Sequence, residues 1–219
     1  MQNNNWAALL DWDGVVVDSS DYHEKSWELL AEEEGRELPP NHFERSFGMK
    51  NETIIPNILE WTDDPDEIDR LCRRKAELYL ELVRERGMSP LPGVVPFLER
   101  IRSAGVPTVI ASSTPRSNIR AALEVMDVED HFDDLVCGED TENSKPHPET
   151  FEMAAERADT PPSSCVVFED AHVGVEAAHR ARMMVIGVAS THSAETLSDA
   201  DRVVNRLDEL EGTDPTQWT

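Results

Sequence analysis

Ala7-Ala8-Leu9-Leu10-Asp11-Trp12-Asp13-Gly14 is the stretch that decides the fold. A short apolar run that ends abruptly in acids and a glycine reads as a buried strand followed by a turn. In a parallel sheet the carboxyl ends of the strands open onto the ligand crevice, so both aspartates are placed at a ligand-facing edge. Alternation along an extended backbone sends Asp11 and Asp13 to the same side. Two carboxylates there repel, which implies a bound cation or a raised pKa on one of them. A calcium-binding loop is excluded: its sixth position needs Gly and its twelfth Glu, and here Val16 and Tyr22 stand there.

Outward from this strand, apolar runs at 106–111, 135–137, 165–168 and 185–188 read as four more buried strands. Stretches at 115–126, 148–158 and 173–182 have helical spacing and fall between them, and Pro92 opens another helix striped by Val94, Phe97, Leu98 and Ile101. Alternating strands and helices predict an α/β fold with a parallel sheet. About ninety residues separate the first two strands, far more than a crossover needs. That segment is itself helical, with Trp27, Leu30 and Ala31 on one face and Ile68, Leu71, Leu78 and Leu82 on another. The expected organisation is a core of residues 1–16 and 92–219 with a helical lid, 17–91, inserted after the first strand.

The other strand ends also carry chemistry. The second ends in Ser112-Ser113-Thr114, hydroxyls suited to a phosphate. The fourth ends in Glu169-Asp170 before a helix start, and Lys145-Pro146 lies in the loop after the third. Only four lysines occur in the chain, Lys25, Lys50, Lys75 and Lys145, so each survivor carries more weight than a surface lysine ordinarily would.

Lys plus Arg number 20 against 45 Asp plus Glu, a net charge of −25. That charge argues against nucleic acid or an anionic membrane as partner, since either would repel it. An acid-rich, lysine-poor composition is expected of a halophilic protein, whose self-repulsion is screened at high salt. Cys72, Cys137 and Cys165 have neither paired spacing nor a histidine partner, as expected of free thiols in a reducing cytosol. No apolar run approaches the ~18 residues of a membrane span, and no signal segment is evident at the start; a cytoplasmic monomer is expected.

Four segments together carry a family resemblance: Asp11-Trp12-Asp13-Gly14-Val15-Val16-Val17-Asp18-Ser19, Ser112, Lys145-Pro146, and Glu169-Asp170-Ala171-His172-Val173-Gly174. In this order and spacing they resemble the haloacid dehalogenase superfamily over nearly the whole chain, in the branch that holds β-phosphoglucomutase and related sugar-phosphate phosphatases. The resemblance implies a Rossmann-like core with a helical cap. It also implies that Asp11 is the phosphoryl-accepting nucleophile and Asp13 the acid/base. Mg²⁺ would be held by Asp11, the main-chain carbonyl of Asp13 and Asp170, with Glu169 beside it or acting through water. Lys145, Ser112 and Ser113 would bind the phosphoryl oxygens. In the cap, the implied substrate contacts are His23, Trp27, Gly48, Asn51 and Lys75, joined from the core by Thr114 and Arg116. His23 would position or trigger the acid, and Lys75 would bind a distal phosphate or hydroxyl.

Where the mutase carries an arginine for the second phosphate, this chain has Asn51, and Thr114-Pro115-Arg116 looks more like phosphatase members. The adjacent Lys50 lacks the bidentate guanidinium. The expected activity is therefore a Mg²⁺-dependent phosphatase for a small phosphate ester, a sugar or polyol phosphate. A β-phosphoglucomutase-like isomerase is the first alternative, and a non-catalytic phosphate-binding domain the second.

Overall fold

Six parallel strands in the order β3-β2-β1-β4-β5-β6 form the centre of the computed structural model, which describes residues 6–46 and 49–218. In chain order the elements are β1 (Ala7–Leu10), α1 (Ser20–Glu34), α2 (His42–Ser46), α3 (Asn51–Asn57), α4 (Pro65–Arg86), α5 (Val94–Ser103), β2 (Thr108–Ala111), α6 (Arg116–Met126), β3 (Asp134–Val136), α7 (Glu149–Arg157), β4 (Cys165–Glu169), α8 (His172–Arg180), β5 (Met184–Val188) and β6 (Arg202–Val204). The expected α/β class and parallel sheet are borne out.

β1 is wholly buried because both of its faces are covered. Ala8 and Leu10 enter one core with Phe97, Ile110 and Phe168, while Ala7 and Leu9 enter the other with Val109, Phe151 and Val167. The chain moves from β1 out to β2 and β3, then returns to β4 on the opposite side of β1. This reversal is the switch point at which the strand ends part to leave a crevice. It brings the ends of β2 and β4 to either side of Asp11.

Between β1 and β2 the helices α1 to α4 build their own apolar cluster, with Trp27, Leu30, Ile55, Leu71 and Leu78 at its centre. Gly35 ends α1 in the left-handed conformation (φ 62°) that glycine adopts at low cost. Asp64 starts α4 by accepting from the main-chain N–H groups of Asp66 and Glu67, with Pro65 in the first turn.

Strand and helix limits shift by one or two residues from those expected, and the helix expected from Pro92 starts at Val94. The sixth strand, Arg202–Val204, was not anticipated. It has three residues, two of them half-buried, so it offers neither the length nor the apolar run that marked the others. Gly48 lies outside the described residues.

Candidate active site

Asp11 stands one residue past β1, its N–H donating to the Phe168 carbonyl of β4 at 2.9 Å. Lys145 reaches it from the loop after β3: Nζ lies 3.1 Å from Asp11 Oδ1 and 2.7 Å from Glu169 Oε2, with the lysine side chain only 4% exposed. The other Glu169 oxygen, Oε1, accepts from the main-chain N–H groups of Asp170 and Ala171 at 3.2 and 3.1 Å. Both Glu169 oxygens are thereby occupied, and its clearest role is to orient Lys145.

Asp170 differs. Both of its carboxylate oxygens are buried without a well-formed hydrogen bond, the Thr191 hydroxyl standing near enough only to oppose part of the penalty of burial. Asp11, Glu169 and Asp170 each offer an oxygen within 4.8 Å of the others. Burial raises the pKa of Asp11, and Glu169 raises it further against the pull of Lys145. Burial, then Glu169 and Asp11, push Asp170 well above the usual range. Two glycines make room for this cluster. A Cβ on Gly14 (φ 77°) would meet Asp170 Oδ2 at 1.9 Å, and one on Gly174 would meet the Glu169 carboxyl carbon at 2.0 Å.

Asp13 lies two residues from Asp11 in opposite surroundings. Oδ1 accepts from the Ser19 hydroxyl and faces His23 Nε2 at 3.3 Å, and Oδ2 accepts from Thr114 Oγ1 at 2.5 Å. Burial would raise its pKa, but His23 and the three side-chain hydrogen bonds more than offset this and hold it at about 2. Behind His23, Lys75 Nζ lies 2.6 Å from Nδ1. A charged Lys75 donates to Nδ1, which leaves the proton on Nε2 pointing at Asp13. Lys75 is 1% exposed, and burial lowers its pKa to about 7.

These groups line a cavity of about 400 Å³ between the sheet edge and the helical insertion. Ser112, Ser113 and Lys145 face it from the core, and His23, Trp27, Asn51, Lys75 and Thr114 also line it. Ser112 Oγ additionally accepts from the Thr114 N–H at 3.0 Å, fixing the turn after β2. Arg116 does not line the cavity. Its guanidinium is held by Asp140 at 2.5 Å, which removes it from the expected substrate contacts. Lys75 likewise presents its ammonium to His23 in place of the distal phosphate or hydroxyl expected for it. Sequence reading missed Ser19 as a partner of Asp13, although it closes the nine-residue segment that begins at Asp11; it also missed Phe43, Glu52, Asp69 and Arg73 on the cavity wall.

The sequence profile of the haloacid dehalogenase-like hydrolases matches residues 7–182. The chain belongs to that family. It is 36% identical over 206 residues to the chloroplastic 5-amino-6-(5-phospho-D-ribitylamino)uracil phosphatase of Arabidopsis thaliana, an alignment that covers 93% of this chain and 55% of that protein. A phosphorylated carbohydrates phosphatase of Thermotoga maritima is 30% identical, over 90% of this chain and 92% of its own length. The crystal structure of a β-phosphoglucomutase from Clostridium difficile superposes with a TM-score of 0.82 at 28% identity, covering 94% of this chain and 92% of the other.

Haloacid dehalogenase-like hydrolases generally use Mg²⁺, and the residues present fit it. Three carboxylates converge, and the Asp170 oxygens are buried with no well-formed partner among the described residues. An all-oxygen site of this kind suits a hard divalent cation. Asp11 and Asp170 would hold the ion with Glu169 beside them. The Asp13 carboxylate is already taken by Ser19, His23 and Thr114, which leaves its main-chain carbonyl to offer. Bound there, the ion would favour ionised Asp11 and shield it from the negative phosphoryl oxygens.

Proposed function

We propose that the chain is a phosphatase that hydrolyses the monoester of a small phosphorylated metabolite, a sugar or polyol phosphate, with Mg²⁺ as cofactor. The Asp11 carboxylate attacks phosphorus as the bond to the ester oxygen breaks; Asp13, ionised in the free protein, takes the proton of the monoanionic phosphate group and passes it to the departing ester oxygen, giving an aspartyl-phosphate. Asp13 then takes a proton from the attacking water. The bond between phosphorus and the Asp11 oxygen breaks, and inorganic phosphate departs. Lys145 and the Ser112 hydroxyl face the place where charge gathers on the phosphoryl oxygens. Asp13, held ionised by His23, Ser19 and Thr114, is suited to the second step.

One observation favours water over a sugar hydroxyl as the acceptor. A mutase must hold a second phosphate firmly, yet of the basic groups available for that near Asn51 all but Arg73 of the cavity wall are engaged elsewhere. Lys75 is on His23, Lys50 Nζ donates to the Thr141 carbonyl at 2.5 Å, and Arg116 is on Asp140. The names of the Arabidopsis and Thermotoga relatives, a phosphoribityl compound and phosphorylated carbohydrates, support a sugar or polyol phosphate. Cytosolic residence is part of the same reading, supported by three free cysteines, and a monomer is proposed with it.

A panel of phosphate monoesters assayed with Mg²⁺ in high salt tests the proposal. Phosphate release is expected from the wild type, falling below about 1% in Asp11→Asn, as for loss of a covalent nucleophile. With β-glucose 1-phosphate and a trace of the bisphosphate, glucose 6-phosphate forming faster than inorganic phosphate would establish the mutase instead. No release from any ester would leave the phosphate-binding domain.

A further inference from the structure

Three of the four lysines have clear partners: Lys145 faces Asp11 and Glu169, Lys75 faces His23, and Lys25 pairs with Glu28 on the surface. Lys50 breaks the pattern. In a chain with 45 acids its half-buried side chain pairs with no carboxylate among the described residues, and its ammonium donates at 2.5 Å to the main-chain carbonyl of Thr141. The two are 91 residues apart in sequence, and the bond crosses from the helical insertion to the core. Thr141 is 7% exposed, and no other donor among the described residues reaches its carbonyl. An enclosed carbonyl needs a donor, so loss of the Lys50 ammonium would leave this one unsatisfied.

Both ends of the bond are anchored. On the insertion side the Lys50 carbonyl accepts from the N–H groups of Thr53 and Ile54 at 3.0 Å each, which starts α3. Ile54 and Ile55 then enter the apolar cluster with Trp27 and Leu71, and Met49 and Asn51, on either side of Lys50, line the cavity. On the core side Thr141 lies in the loop between β3 and α7. The N–H of the same peptide group, on Glu142, donates to Glu149 Oε1 at 2.8 Å, and the Asn143 N–H donates to Oε2 at 2.8 Å. One peptide group is thus held from two sides, by the Lys50 ammonium and by the first residue of α7. Further along the same loop Lys145 departs for the site, where its Nζ stands 2.7 Å from Glu169 and 3.1 Å from Asp11.

We propose that Lys50 is a positioning residue: from the helical insertion its ammonium pins the Thr141 carbonyl and so sets the core loop that carries Lys145 to the phosphoryl site. The inference rests on the phosphatase reading and adds to it a residue that touches neither metal nor ester. A charge aimed at a transferring phosphoryl group helps most when it is already in place, and a small displacement forfeits much of the gain. Glu169 fixes the Lys145 ammonium, and Lys50 fixes the backbone from which that side chain springs. Because Met49 and Asn51 flank Lys50, the same bond sets the cavity wall of the insertion and the Lys145 loop together.

Hydrogen exchange and kinetics test this with Lys50→Met, which keeps an unbranched apolar stem without the donor, and Lys50→Arg, which supplies a donor again. In Lys50→Met the amides of residues 142–145 should exchange about tenfold faster, while those of β1 and β4 keep their wild-type rates. With Mg²⁺, kcat should fall about tenfold and KM change less than about twofold, as expected for loss of one charge-assisted hydrogen bond. The factor should be the same for p-nitrophenyl phosphate and for a hexose 6-phosphate, and Lys50→Arg should recover most of both losses. Should Lys50→Met not fold, Lys50→Gln is measured in its place. Loop exchange unmoved by the substitution, or raised throughout the chain, would overturn the positioning role. So would a loss carried by KM and confined to the hexose ester, which would make Lys50 a substrate contact. Faster loop exchange in Lys50→Met, with no phosphate release by the wild type from any ester, would instead overturn the phosphatase reading.

Discussion

Two aspartates two residues apart, on one strand end, are driven in opposite directions by their neighbours. Asp11 shares its space with Glu169 and Asp170 and is pushed toward the protonated form, whereas Asp13 is surrounded by donors and held ionised. That divergence lets one carboxylate await a cation while its neighbour handles a proton. The strain of the cluster should be measurable at Asp170. A carboxyl whose folded pKa lies above its unfolded value favours the fold when protonated and costs stability as pH rises and the charged form is demanded. In chelator at pH 8, Asp170→Asn should therefore stabilise the protein by about 1–3 kcal/mol, since the amide fills the site without the charge. Added Mg²⁺ should raise the melting temperature of the wild type, by linkage to binding, and leave that of the variant nearly unmoved. A variant that melts lower than wild type in chelator would show that Asp170 is not held against repulsion.

At the scale of elements, α4 does two opposed things. Leu71 and Leu78 pack against Trp27 and Leu30 of α1, each burial worth about 1.5–3 kcal/mol, and the same inner face buries the Lys75 ammonium beside His23, Trp27 and Tyr79. Lys75 has a folded pKa of about 7 against an ordinary 10.5, so across that window the unfolded chain binds the extra proton and stability rises with pH. The melting temperature of the wild type relative to Lys75→Met should be flat below pH 7 and climb from pH 7 toward 10. A difference independent of pH would mean that the lysine stays charged in the fold. What could be read from the sequence follows the same physics. β1, β2, β4 and β5 announce themselves because strands buried on both faces must be apolar throughout, and the candidate site because it sits where those runs stop. The three-residue β6, the Ser19 hydroxyl on Asp13 and the cavity-wall acids Glu52 and Asp69 gave no such sign. A short edge strand needs little apolar sequence, and an exposed carboxylate facing a cavity looks, in sequence, like one facing solvent. Arg116 shows the converse, a guanidinium next to the turn after β2 whose partner, Asp140, lies 24 residues away.

Over the whole molecule, charge is the dominant unbalanced term. The surface carries arginine–glutamate pairs such as Arg70 with Glu34 and Arg74 with Glu33, Glu77 and Glu81, but each exposed pair contributes only about 0–1 kcal/mol. Even with every lysine and arginine paired, a net charge of −25 remains to repel itself. Salt therefore acts in two directions: it weakens the pairs and it screens the excess. Because the excess outnumbers the cations, screening should prevail. The Debye length shrinks from ~30 Å at 0.01 M to ~3 Å at 1 M, the range over which repulsion across the protein surface is extinguished. The melting temperature should accordingly rise with KCl through that range, and more steeply than in a variant with exposed glutamates such as Glu32 and Glu124 changed to Gln, which has less repulsion to screen. Because Lys145, Glu169 and Asp170 are enclosed, the phosphate site should keep its selectivity among esters as salt increases. A melting temperature that stayed level or fell with KCl would mean that surface ion pairs, and not the acid excess, govern the stability of the fold, and would remove the halophilic reading while leaving the site chemistry untouched.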